Sequence, residues 1–164
     1  MNKYEVTFES ENIEFVKLSF DLIDNYLLMI NDMSVSKNIS HNPKIFTYEE
    51  ERDWIKEKLD SNAISFSMIE KSTGDFIGNI EIMSIKDGIG EIGITITPNK
   101  QNRHYGRKAL KSIIEYGYQN LGIKGYELNV FSTNHRAIKC YKNVGFIEDG
   151  IGKTEDDIHM KISR

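Results

Sequence analysis

The residue types and spacings that could do chemistry fall in two stretches of the second half of the chain. The first is Pro98-Asn-Lys-Gln-Asn-Arg-His-Tyr-Gly-Arg-Lys-Ala-Leu110, a polar, basic loop between a strand-like segment and a helix-like one. The start of a helix presents backbone N–H groups that lack intrahelical partners, together with the positive end of the helix dipole. It is therefore a natural anion site. Lys100, Arg103, Arg107 and Lys108 add positive charge within this short segment, which favours a phosphate-bearing ligand. The plainer alternative is a solvated helix start with ordinary surface cations. No Gly-Lys-Ser/Thr of a P-loop and no Rossmann glycine triplet occurs, which disfavours nucleoside triphosphates and NAD.

The second stretch is Asn134-His-Arg-Ala-Ile-Lys-Cys-Tyr-Lys-Asn-Val-Gly-Phe146. Asn134 and Tyr141 are two helical turns apart, so they share a helix face at roughly 10 Å along the axis. Each also has a structural reading, Asn134 as a helix cap and Tyr141 as a half-buried aromatic. Cys140 is the single cysteine and falls on a different face from Tyr141. It reads as a small buried hydrophobe, excludes an intramolecular disulfide and suits a reducing cytosol. His41, His104, His135 and His159 lack metal-ligand spacing, and no metal site is expected.

These stretches need elements to hold them. Residues 14–20 read as a first strand, and Asp21 as the cap of a helix to about Asp32 with Leu22, Tyr26, Met29 and Ile30 as its apolar stripe. SVSKNISHNP reads as a polar loop. Thr47 with Glu50 forms a capping-box pattern that opens a helix to about Asp60 and buries Trp54, Ile55 and Leu59. Ile64, Phe66 and Met68 alternate with Ser65 and Ser67, a half-buried strand. FIGNIEIMSI is the next strand, Asp87-Gly88 a hairpin turn, and GEIGITIT a third strand ended by Pro98. Its Ile92, Ile94 and Ile96 face one way, Glu91, Thr95 and Thr97 the other. Ala109, Leu110, Ile113, Ile114, Gly117 and Leu121 trace a helix from near Gly106, with Gly122 as a left-handed cap. YELNVF is a strand, NHRAIKCYKNV a short helix closed by Gly145, and IHMKI a last strand. The strand–helix–strand order predicts parallel pairing around 92–97 and 126–131, and the hairpins predict antiparallel pairing elsewhere.

A chain of 164 residues with only 2 Pro and 12 Gly fits one globular domain rather than a disordered or fibrous one. The net charge of −4 argues against a nucleic-acid partner, which would call for a basic footprint. The acidic start MNKYEVTFESENIEF has no long apolar stretch, so neither a signal peptide nor a membrane span is expected.

Strand GEIGITITP, loop QNRHYG, helix RKALKSIIEYGYQNLGI, strand YELNVF and NHRAIKCYKNVGF together resemble the acetyl-CoA-binding core of the general control non-repressible-5-related (GNAT) N-acetyltransferases. The likeness is close over 91–146 and extends by order of elements elsewhere. The layout is most similar to the branch of spermidine and ribosomal-protein alanine acetyltransferases. The family's phosphate loop reads Gln/Arg-x-x-Gly-x-Gly/Ala; Gln101 opens it here, Gly106 closes it, and His104 stands at the middle glycine. Asn134, Ala137, Tyr141, Gly145 and Phe146 match Asn-x-x-Ala-x-x-x-Tyr-x-x-x-Gly-Phe.

The resemblance implies a single α/β (α+β) domain over 1–164. Its sheet would be mixed, mostly antiparallel and twisted, with one splayed parallel pair and about four flanking helices. It implies acetyl-CoA as co-substrate, without a metal, held by Ile94, Thr95, Ile96, Gln101, Asn102, Arg103, His104, Tyr105, Gly106, Arg107, Asn134 and Tyr141. It also implies direct transfer to a primary amine, either a small molecule such as a polyamine or amino sugar, or a protein N-terminus. Tyr141 would be the general acid for the departing thiolate, and a backbone N–H of 94–96 would hold the oxyanion. Glu91 is the candidate base, with Glu81 next and a water chain as a third route. Asp32, His41, Phe46 and Tyr48 are candidates to line the acceptor pocket, or else surface and packing residues. A cytoplasmic protein is expected, with a homodimer as an allowed assembly. The rival reading is a non-catalytic acyl-CoA-binding regulatory module on the same fold.

Overall fold

Local signals place most elements of the computed structural model, which describes residues 3–164. In chain order they are β1 (Val6–Glu9), β2 (Ile13–Lys17), a 3-10 turn (Phe20–Leu22), α1 (Ile23–Ile30), α2 (Met33–Ser36) and α3 (Tyr48–Asp60). Then come β3 (Ile64–Glu70), β4 (Phe76–Lys86), β5 (Ile89–Ile96), a second 3-10 turn (Pro98–Lys100) and α4 (Tyr105–Asn120). β6 (Gly125–Phe131), α5 (His135–Val144), β7 (Ile147–Ile151) and β8 (Asp157–Ser163) complete the fold. Among the described residues the eight strands form one sheet in the order β1-β2-β3-β4-β5-β6-β8-β7.

The capping box forms as its pattern dictates: Glu50 N–H donates to Thr47 Oγ1 and Thr47 N–H to Glu50 Oε1, both at 3.2 Å. Asp87 and Gly88 take φ of 54° and 81°, the doubly left-handed turn that matches strand twist. Gly122 caps the end of α4 with φ 67°.

Several expectations need correction. The chain has five α-helices among the described residues, because Asp32 caps a further helical turn, α2, inside the supposed loop. Asp21 caps nothing. Ser19 accepts the Asp21 N–H instead, and α1 follows a 3-10 turn. The first strand ends at Lys17, and β1 precedes it. β3 is buried on both faces rather than half-buried, since Ser67 is fully enclosed by Tyr26 and Asn79. The parallel ladder runs Ile89–Gly125, Gly90–Tyr126 and Glu91–Glu127, earlier in both strands than 92–97 with 126–131. Lys124 N–H donates to Gly88 O at 2.7 Å, which sets the two strand starts level.

Two compact units divide the described chain: residues up to Glu81 with Ile94–Tyr105, and Ile82–Gly93 with Gly106–Arg164. The first packs α1 and α3 on its sheet through Val16, Leu22, Ile23, Tyr26, Met29, Ile55 and Phe76. The second buries Ala109, Leu110 and Ile113 of α4 with Tyr126, Leu128, Phe146 and Met160. Tyr126 donates its hydroxyl to Ile114 O at 2.9 Å, and a Cβ at Gly117 would lie 1.8 Å from that oxygen. The missing Cβ at Gly117 thus makes room for the Tyr126 hydroxyl beneath α4.

Candidate active site

β5 runs out at Ile96, and the chain turns through Pro98–Lys100 into the phosphate-loop candidate. Ile94, Thr95 and Ile96 are half-buried there. Gln101 folds back on this strand, donating its amide Nε2 to Ile96 O at 2.9 Å. Beside it, β4 passes Thr95 so closely that a Cβ at Gly78 would stand 2.0 Å from Thr95 O. Gly78 therefore sets the path of residues 95 and 96, a role that an isolated glycine inside a strand pattern signals.

The loop is left-handed at two non-glycine residues, Asn102 with φ 62° and His104 with φ 66°. Asn and His tolerate this region better than most, at a cost of about 1 kcal/mol each. His104 thus adopts the conformation for which the middle glycine would be chosen. Asn102, Arg103 and His104 are all exposed, and α4 begins at Tyr105. The first N–H groups of a helix lack intrahelical partners, and here they are those of Tyr105, Gly106 and Arg107. Arg103 and Arg107 have no carboxylate within ion-pair distance among the described residues, so their charge is available to an anion.

Lys100 departs from the expected role of phosphate cation. It is 6% exposed, with Nζ 3.0 Å from Asp75 Oδ2 and 3.5 Å from Glu70 Oε2. Glu70, which no local sequence signal singles out, also accepts from Thr73 Oγ1 at 2.7 Å and from the Tyr105 hydroxyl. The Tyr105 and Thr73 hydrogen bonds hold its carboxyl down at about 2, with Lys100 helping against desolvation. Tyr105 is pushed up to about 12 by burial and by Glu70.

In the second unit, Asn134 caps α5: its Oδ1 accepts from Ala137 N–H at 3.3 Å. The amide Nδ2 has no partner among the described residues, so the cap leaves one donor over. Gly145 and Phe146 close the helix, both N–H groups donating to Tyr141 O at 3.1 and 3.0 Å. The Phe146 ring lies edge-on to Tyr141 at 6.0 Å between centroids. Gly145 and Phe146 thus hold Tyr141 directly, while Asn134 caps the helix that carries it. The Tyr141 hydroxyl makes no hydrogen bond to the described residues, and desolvation of this half-buried side chain raises its pKa above the usual 10.0. Gly106 stands against α5, where a Cβ would sit 3.4 Å from Cys140 Sγ. Burial raises the Cys140 thiol's pKa, which suits a packed thiol and not a nucleophile.

Glu91 is enclosed, with a side chain 15% exposed and Lys153 Nζ 3.5 Å from Oε2. Glu81 is engaged by Lys58 at 3.2 Å. Of the acceptor-pocket candidates, Asp32 caps α2, and Phe46 exchanges both main-chain groups with the Asn31 side chain at 2.8 and 3.0 Å. Tyr48 is 55% exposed and His41 is exposed as well. Among the described residues no cluster of His, Cys, Asp and Glu could hold a metal, and no helix is long and apolar enough to cross a membrane.

Comparisons with known proteins bear on the family and the fold. The model of the acetyltransferase (GNAT) domain matches residues 13–147. An uncharacterized N-acetyltransferase of Bacillus licheniformis is 26% identical over 88% of this chain and 84% of its own. The spermidine N(1)-acetyltransferase of Vibrio cholerae is 23% identical over 73% of this chain and 75% of its own. A crystal structure of the Vibrio cholerae spermidine N-acetyltransferase with CoA and spermine superposes with TM-score 0.81 at 19% identity, covering 94% of this chain and 96% of that one. With a family model matched over residues 13–147 and relatives named as N-acetyltransferases over most of their length, this chain belongs to the GNAT acetyltransferase family and is an N-acetyltransferase.

Proposed function

We propose that this enzyme uses acetyl-CoA to acetylate a primary amine directly, without an acyl-enzyme. The observation that carries the proposal is Tyr141. It is an unpartnered, half-buried hydroxyl on the helix that Asn134 caps, held from the helix end by Gly145 and Phe146. A group that must donate a proton to a departing thiolate needs to be neutral and uncommitted beforehand.

The other roles follow the chemistry of the donor. The pyrophosphate suits the exposed loop Gln101–Gly106, the first N–H groups of α4 and the charges of Arg103 and Arg107. The pantetheine arm carries amide groups, and the spare Asn134 Nδ2 can donate to one of them. The carbonyl oxygen of the thioester gains negative charge as the amine attacks. A backbone N–H of Ile94–Ile96 is the donor assigned to it. Glu91 is the base that takes the amine's proton, directly or through water.

A small amine such as a polyamine or an amino sugar, or a protein N-terminus, is the acceptor class. The named spermidine enzyme among the relatives favours testing polyamines first. The test is thiol release from acetyl-CoA with spermidine, amino sugars and alanine-started peptides. Amine-dependent release supports the proposal. CoA binding with no turnover on any amine would instead make the protein a binding module.

A further inference from the structure

The loop assigned to the donor's pyrophosphate carries two strained residues, Asn102 and His104, and a single carboxylate grips the chain on either side of them. Lys100 precedes the strained segment and Tyr105 follows it, and both side chains end on Glu70 Oε2. Glu70 closes β3, far from the loop in sequence, and is itself 7% exposed. Its second oxygen is taken by Thr73 at 2.7 Å and Ser72 at 3.4 Å. Asp75 holds Lys100 from the same β3–β4 turn at 3.0 Å.

This arrangement answers a physical need. Left-handed residues without a glycine persist only where the surrounding structure over-determines them. A free loop with Asn and His at these positions would relax toward extended conformations, and the N–H groups that meet an anion would scatter with it. A cradle for phosphate works only if its donors are aligned before the ligand arrives. The Tyr105 hydroxyl is the decisive part, because Tyr105 is the first residue of α4 and connects the brace to the helix N-terminus.

The geometry points to Glu70 as a positioning residue for the donor: through Tyr105 and Lys100 it holds the His104-containing loop in the shape that receives the pyrophosphate of CoA. The role rests on the proposed use of acetyl-CoA. It takes no part in the chemical step, so its loss should cost affinity for the phosphate-bearing half of the donor and nothing else.

Two donors separate this from general structural support. Acetyl-CoA carries the pyrophosphate, whereas acetyl-pantetheine carries the same thioester and arm without it. Steady-state kinetics with each donor are compared for the wild type, Glu70→Gln and Tyr105→Phe, with melting temperatures recorded alongside. Tyr105→Phe removes one hydroxyl and leaves the Lys100 ion pairs, so it remains informative if Glu70→Gln folds poorly. Both variants should raise the KM for acetyl-CoA by roughly tenfold, the scale of a lost charge-assisted hydrogen bond. The kcat at saturation and the kcat/KM for acetyl-pantetheine should stay within about twofold. An equal loss with both donors, or an unchanged KM for acetyl-CoA in a folded Tyr105→Phe, overturns the brace while leaving the enzyme an acetyltransferase. A wild type that does not bind CoA overturns the donor assignment itself.

Discussion

Phe146 sets its ring edge-on to Tyr141, 6.0 Å between centroids at 63°, while its own N–H donates to the Tyr141 carbonyl at 3.0 Å. The pair shows what the Gly-Phe ending of the motif is for. Gly145 turns the chain with φ 122°, Phe146 is buried to 2%, and the phenol is clamped from its own helix end. If Tyr141 is the proposed general acid, this clamp means that it loses no entropy in finding its position at the moment of reaction.

Asn134 has two functions that separate by substitution. Asn134→Asp keeps the oxygen that caps α5 and loses the Nδ2 donor, whereas Asn134→Ala loses both. The alanine variant should be about 1 kcal/mol less stable and the aspartate variant near wild type. Both should raise the KM for acetyl-CoA by about fivefold, the scale of one neutral hydrogen bond. Urea unfolding and donor kinetics on the two proteins check this, and an unchanged KM in both assigns Asn134 to capping alone.

His104 sits where its φ of 66° would suit glycine. His104→Gly removes about 1 kcal/mol of left-handed strain and adds a similar freedom to the unfolded chain, so stability should change by less than about 0.5 kcal/mol. The KM for acetyl-CoA should stay level or fall. His104→Val places a β-branched residue in the same region and should lose about 1–2 kcal/mol and donor affinity together. If the valine variant matches wild type in both readouts, the left-handed loop is not the donor-binding form.

Much of this was legible locally. Thr47 with Glu50, Asp87-Gly88, Gly122 and the Asn134-to-Phe146 motif are short-range signals, and each forms as its residues dictate. β7 was missed because IEDGI is exposed at every position and has no apolar alternation to read. The fate of Lys100 was hidden for a different reason. Its charge looks like part of a basic loop until the fold brings Glu70 and Asp75 to it from 30 and 25 residues away. The parallel register was likewise decided by a tertiary contact, Lys124 to Gly88, that no periodicity encodes.

Glu91, the candidate base, should show its role in kcat. Glu91→Gln is expected to lower kcat by about a hundredfold with the acetyl-CoA KM within about twofold. Full activity in this variant moves the base to Glu81 or to a water chain.

Glu51 gives a pH-dependent stability effect with a defined sign. It is 4% exposed on α3, its carboxylate makes no hydrogen bond or ion pair with the described residues, and burial raises its pKa above 4.5. A raised folded pKa means that the carboxyl's contribution is fully present below the unfolded value and is lost as pH rises through the folded one. Glu51→Gln mimics the protonated form, so it should melt higher than wild type at pH 7 to 8. The difference should vanish near or below about pH 4. A variant that is destabilised at pH 8 points to an ionic partner for Glu51.

The most direct measurement of the central claim is acetyl transfer by wild type and Tyr141→Phe, with CoA affinity measured on the same samples. Amine-dependent thiol release by the wild type, equal CoA binding by both proteins, and a kcat lower by about a hundredfold or more in the variant are expected. Full kcat in Tyr141→Phe, or a wild type that neither binds CoA nor releases thiol, would contradict the claim.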